Sequence, residues 1–155
     1  IHEPKLVIFD EATTALDVVT QGQVLKEIRR LQNEMHVTSI LITHDVSVVC
    51  ETCRSVAVMY AGHIMEFGPV SEVLSRPRHP YTQGLMASFP SLTGDRKRLR
   101  GIPGTLPDLK MEHQGCIFAP RCPKAIDICN KMPPPVIKTG SGCLVRCHLE
   151  GSEGN

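Results

Sequence analysis

Three groups of residues in this 155-residue chain have types and spacings that could do chemistry. The first is Asp10-Glu11, which closes the apolar run Leu6-Val7-Ile8-Phe9. A carboxylate at the tip of a hydrophobic strand can hold Mg²⁺, directly or through water, because that ion prefers hard oxygen ligands. An adjacent acidic residue can orient or deprotonate an attacking water. The second group is Thr43-His44-Asp45, which closes a second apolar run. The third is a set of cysteines, Cys116, Cys122, Cys129 and Cys147, with five, six and seventeen residues between them. Four thiolates in a segment rich in Pro and Gly can close one tetrahedral metal site or one cubane cluster. Their spacing is neither the paired CxxC of zinc ribbons nor the CxxCxxC of bacterial ferredoxins. Zn²⁺ in the same thiolates, or two disulfides, are alternative fates, and Cys143, four residues before Cys147, could take its place.

These residues need elements to hold them. Four consecutive apolar residues at 6–9 suggest a strand buried on both faces of a parallel sheet. Val24, Leu25, Ile28 and Leu31 share one face of a helix over about 19–33, with Asp17 or Thr20 as its cap. Residues 38–43 read as a second buried strand, and 45–53 as a short helix capped by Asp45. The alternating stretches 55–60 and 63–67 flank Ala61-Gly62, a hairpin signal. A short helix follows over 70–75, and Pro80 opens another. Strand, helix, strand, helix implies a parallel sheet with right-handed crossovers, and ligands in such sheets sit beyond the carboxyl ends of the strands. Asp10-Glu11 and Thr43-His44-Asp45 lie at two such ends, which suits a phosphate and metal site. Cys50 and Cys53 form a CxxC on the helix between core strands and read as packed small residues rather than a redox pair.

The segment LVIFDEATTALD followed by LITHD resembles the ATP-binding cassette family of transport ATPases. The resemblance implies an α/β fold: part of a P-loop NTPase core with parallel strands and crossover helices, joined to an irregular Cys/Pro-rich extension. In its terms Asp10 belongs to the Walker B motif and coordinates the Mg²⁺ of MgATP through water. Glu11 is the general base, and His44, the switch histidine, contacts the γ-phosphate. Asp17, in the D-loop, reaches across a nucleotide-sandwich dimer to the partner's phosphate loop. Ala12 departs from the family, which usually places Pro there. The sequence holds no G-x-x-x-x-G-K-[ST] phosphate loop, Gln-loop or signature segment. It therefore looks like the C-terminal half of such a subunit, and alone it is expected to bind ATP weakly and hydrolyse it negligibly.

His79-Pro80-Tyr81-Thr82, Ile102-Pro103-Gly104, Pro107-Asp108-Leu109 and the cysteines with His148 resemble the C-terminal extension of oligopeptide and dipeptide importers. This places the ATPase part at residues 1–77 and the extension at 78–155. The resemblance links Cys116, Cys122, Cys129 and Cys147 to a [4Fe–4S] cluster. It also implies transmembrane permease subunits, a second ATPase subunit and, indirectly, an external solute-binding protein as partners, at the cytoplasmic face of the membrane. Related subunits serve nickel or other small solutes, and an iron–sulfur or zinc regulatory module without activity is a further reading.

Composition bounds the rest. The formal net charge of +1 argues against nucleic acid bound through bulk charge. It conceals a contrast: residues 1–89 carry 7 basic and 10 acidic groups, whereas 90–155 carry 10 and 6, with 8 of the 12 prolines. The basic run 96–100 lacks interleaved aromatics for stacking on bases and reads as a solvated linker. No apolar run reaches the ~20 residues that span a bilayer. Seven cysteines, an odd number, suit a metal site better than a disulfide scaffold. A tail so rich in proline buries too little apolar surface to order itself, and a metal closing its loops would supply that order.

Overall fold

The computed structural model describes residues 4–89 and 101–150, so the basic run at 96–100 lies outside the described residues. The fold is mixed α/β, with a two-stranded parallel sheet and a four-stranded antiparallel one. The chain forms two compact units, Ile1–Arg54 and Ser55–Asn155.

In the first unit, β1 (Leu6–Asp10) leads to α1 (Val18–Met35), β2 (Thr38–Ile42) and α2 (Val46–Thr52). Strands β1 and β2 pair in parallel from Leu6↔Thr38 to Asp10↔Ile42, which brings their carboxyl ends level. The cap of α1 is Asp17, whose carboxylate accepts from the amides of Val19 and Thr20 at 3.0 Å. Asp45 caps α2 through the Ser47 amide at 2.8 Å. Leu25 and Ile28 of α1 pack with Val48 of α2 against Phe9 and Leu41 of the strands. Each such side chain, once buried, contributes about 1.5–3 kcal/mol.

The expectation that both strand faces are buried is not met. Both strands alternate, and Leu6, Ile8, Ile40 and Ile42 are 47–58% exposed. The helices cover one face, and among the described residues of this unit nothing covers the other. Cys50 is also exposed rather than packed, and Cys53 is half-buried at the end of α2.

The second unit is built on a sheet ordered β3-β4-β6-β5, from β3 (Ser55–Tyr60), β4 (His63–Pro69), β5 (Val136–Lys138) and β6 (Leu144–Arg146). Ala61 and Gly62 take φ of 48° and 80°, the left-handed pair that a two-residue hairpin requires. The helices α3 (Val70–Val73) and α4 (Pro80–Ala87) follow, and single 3₁₀ turns occupy Ala119–Arg121 and Asp127–Asn130. Tyr60, Tyr81 and Phe118 meet with ring centroids 4.8–5.4 Å apart. Val145, fully buried, and Cys143 on the β5–β6 hairpin complete this interior. The proline-rich tail is thus ordered in part by strand pairing, β6 lying directly against β4.

Candidate functional sites

The first candidate site sits where β1 and β2 end. After Asp10 the chain turns sharply: Glu11 has φ 49°, a left-handed conformation in which a side chain is strained. The turn is held by its own hydrogen bonds. The Glu11 amide donates to the Ile42 carbonyl at 2.9 Å, and the Thr14 amide to the Glu11 carbonyl at 3.0 Å. The strain therefore serves to aim the Glu11 carboxylate across to the end of β2. There the Nδ1 of His44 stands 3.0 and 3.1 Å from its two oxygens, and the Thr14 hydroxyl donates to the same carboxylate.

The electrostatics follow from these contacts. The Thr14 hydroxyl, then the His44 ring, hold the Glu11 carboxyl below the ordinary carboxylate range. Glu11 in turn raises His44, with a smaller contribution from Asp45. Both groups are solvent-accessible, so this is a poised pair rather than a buried salt bridge. Asp10 ends β1 with an exposed side chain. Asp17 is committed to the start of α1; the Thr20 hydroxyl at 2.6 Å is the largest influence lowering its pKa. The structure thus brings together Glu11 and His44, sets Asp10 at the adjacent strand tip, and gives Asp17 the work of a helix cap. Two participants escaped sequence reading. One is Thr14, whose spacing of three from Glu11 within a turn was its only signal. The other is Gln21, whose amide reaches Asp45 at 3.1 Å and joins the starts of α1 and α2.

The second candidate site lies in the second unit. The Cys116 amide donates to the Cys129 carbonyl at 2.7 Å. Gly115 makes that approach possible, because a Cβ there would stand 2.3 Å from the Cys129 carbonyl oxygen. The Ala119 amide closes back on Cys116, and the Cys122 amide on Ala119. Cys147 follows directly on β6. Burial pushes the Cys116, Cys122 and Cys147 thiols up, and the neighbouring cysteines of the same set add to it: Cys129 and Cys147 act on Cys116, the other three on Cys122, and Cys129 on Cys147. Cys143 does not join them. Its side chain packs with Val58 and Val73, and a Cβ on Gly68 would lie 2.5 Å from its sulfur.

All seven cysteines are free thiols. Among the described residues no three His, Cys, Asp or Glu side chains stand close enough to share one metal ion. Burial, and to a smaller degree the neighbouring thiols, raise Cys116, Cys122 and Cys147, a penalty that a cationic group bound to them would relieve. A cubane, whose four irons each take one thiolate, tolerates wider separations between thiolates than a single tetrahedral ion does. Thiolate is the donor type that such a cluster takes. For Mg²⁺, which keeps most of its waters and takes one or two carboxylates plus substrate phosphates, the lone Asp10 is an adequate protein ligand. No helix among the described residues is long and apolar enough to cross a membrane.

Comparison with known proteins agrees with the sequence motifs. Residues 65–129 match the family described as "Oligopeptide/dipeptide transporter, C-terminal region". The chain is 44% identical over 151 residues to the oligopeptide transport ATP-binding protein AppD of Bacillus subtilis, covering 97% of this chain and 46% of that protein. It is 40% identical over 145 residues to the dipeptide transport ATP-binding protein DppD of Escherichia coli, covering 94% of this chain and 44% of that one. The chain spans a little under half the length of these curated relatives. The resemblance to ATP-binding proteins of oligopeptide and dipeptide transporters is borne out over nearly all of its residues.

Proposed function

We propose that the chain supplies the Walker B, D-loop and switch-histidine part of an ATPase subunit that energises import of dipeptides or oligopeptides, together with the extension peculiar to that class. The observation that carries this reading is the meeting of Glu11 and His44 at 3.0 Å, from positions 33 apart in sequence. A general base and a phosphate-contacting imidazole must converge on one reacting centre, and the parallel register of β1 and β2 makes them do so.

Asp10 would hold Mg²⁺ through water, and that ion would neutralise charge on the β- and γ-phosphates of ATP. The Glu11 carboxylate, kept ionised by Thr14 and His44, would accept a proton from the attacking water. His44, cationic more often than an ordinary histidine because of Glu11, would turn to the γ-phosphate when nucleotide arrives. Asp17, at the head of α1, would face a second ATPase subunit across the nucleotide.

In the extension, Cys116, Cys122, Cys129 and Cys147 would hold a [4Fe–4S] cluster, with Zn²⁺ as the competing occupant. When bound, the cluster supplies cross-linking among loops and a redox-sensitive centre. The subunit would work at the cytoplasmic face of the membrane against transmembrane permease subunits, with a solute-binding protein outside. The boundary between ATPase part and extension is assigned to 77/78, beyond α3 and the turn that follows it. The test is transport. The chain is exchanged for the matching residues of the Bacillus AppD protein, in cells lacking that protein. Peptide uptake should be restored by the exchange and abolished by adding Glu11→Gln. Uptake that survives Glu11→Gln refutes the assignment.

A further inference from the structure

The HPYT segment reads in sequence as an ordinary helix start, yet its histidine is more deeply buried than that task requires. His79 is 1% exposed, and so is Glu66 on β4 beneath it. The Glu66 carboxyl accepts from the backbone amides of both Arg78 and His79 at 3.0 Å. Glu66 is paired across the sheet with Val145 of β6, and two residues beyond Val145 is Cys147. The backbone of His79 is thus tied to the strand pair that delivers one cysteine.

The ring reaches both sides of the cysteine set. Its Nδ1 accepts from the Tyr81 amide at 3.0 Å and so caps α4. That leaves Nε2–H on the far edge, and the backbone of Arg146, the residue immediately before Cys147, favours the protonated ring. The ring also packs on Phe118, centroids 5.8 Å apart and tilted by 53°, and Phe118 stands two residues after Cys116. A Ser, Thr, Asn or Asp would cap the helix as well at lower desolvation cost. What only an imidazole offers here is an acceptor on one edge and a donor on the far one.

We infer that His79 is a positioning residue for the cysteine set, its ring bracing the strand end that carries Cys147 against the loop that carries Cys116. This rests on the proposed cluster, but the bracing itself can be measured without it.

The two nitrogens are separated by two substitutions in the whole chain. In His79→Asn the amide oxygen takes the place of Nδ1 and the far donor is lost. In His79→Gln the amide nitrogen takes the place of Nε2 and the cap is lost. Iron per chain and visible absorption are measured after anaerobic preparation. On metal-free protein, the alkylation rate of Cys147 is read by mass spectrometry relative to exposed Cys50. His79→Asn should lower iron retention by about tenfold or more, the scale seen when partners behind metal ligands are removed. It should also speed Cys147 alkylation several-fold, while His79→Gln stays close to the parent in both. Equal loss in both variants, or loss in His79→Gln alone, overturns the inference, since either outcome makes His79 a helix cap and nothing more. A parent that holds no iron refutes the cluster, and the alkylation rates then decide on His79 alone.

Discussion

The burial of His79 has a thermodynamic consequence that can be worked out from the structure. Removal from water moves its pKa from the ordinary 6.5 to about 4, opposed only in part by the Arg146 carbonyl. In the unfolded chain the same imidazole takes a proton near pH 6.5; in the folded chain it does not until about pH 4. The folded state thus has its full stability above pH 6.5 and loses it as the pH falls toward 4. At about 1.4 kcal/mol per pH unit the gap corresponds to about 3 kcal/mol in full, and to about 2 kcal/mol already at pH 5. That is a large part of the stability of a small domain. The chain has two tyrosines and no tryptophan, and both Tyr60 and Tyr81 lie in the second unit, so tyrosine fluorescence follows that unit alone. Urea unfolding should be compared between the parent and His79→Gln, which does not titrate. Between pH 8 and pH 5 the parent should lose about 2 kcal/mol more than the variant. Carboxylates common to both cancel in that difference. Identical pH dependence in the two proteins would refute the argument, because the histidine would then titrate alike folded and unfolded.

Other consequences are as concrete. Gly115→Ala should destabilise the second unit by about 1–3 kcal/mol and lower iron content, since its Cβ would collide with the Cys129 carbonyl; an unchanged urea midpoint would show that the approach is relaxed. Cys143→Ala should leave iron content at the parent level, whereas Cys147→Ser should lower it, because Cys143 packs with Val58 and Val73 while Cys147 acts on the Cys116 thiol. The His44 ring should titrate above 6.5 by NMR and return toward that value in Glu11→Gln, Glu11 being the main cause of its shift. The 155-residue chain alone should hydrolyse ATP no faster than its own Glu11→Gln variant, since it has no glycine-rich loop to cradle phosphates.

Much of this was legible in the sequence because the signals were local and long enough. The period of α1, the two apolar strands ending in polar clusters, the Ala61-Gly62 turn and Pro80 at the head of α4 each mark an element to within a few residues. What escaped was non-local or too short. The three-residue strands β5 and β6 cannot display an alternation, and they exist because β4 offers an edge. Glu66 looked like one more polar residue in a hairpin, and nothing nearby announces that its partners are the amides of residues 78 and 79. The exposed face of β1 and β2 misled in the other direction. Apolar composition says that a face wants cover, not that the chain in hand provides it.

The central claim is that Glu11, held beside His44 at the end of β1, is the base for ATP hydrolysis. The most direct measurement is the steady-state hydrolysis rate of the exchange protein that carries this chain within the Bacillus AppD subunit, with and without Glu11→Gln. The substitution should lower the rate by about 10²–10⁴-fold while ATP binding is retained. Hydrolysis by Glu11→Gln at the parent rate would contradict it.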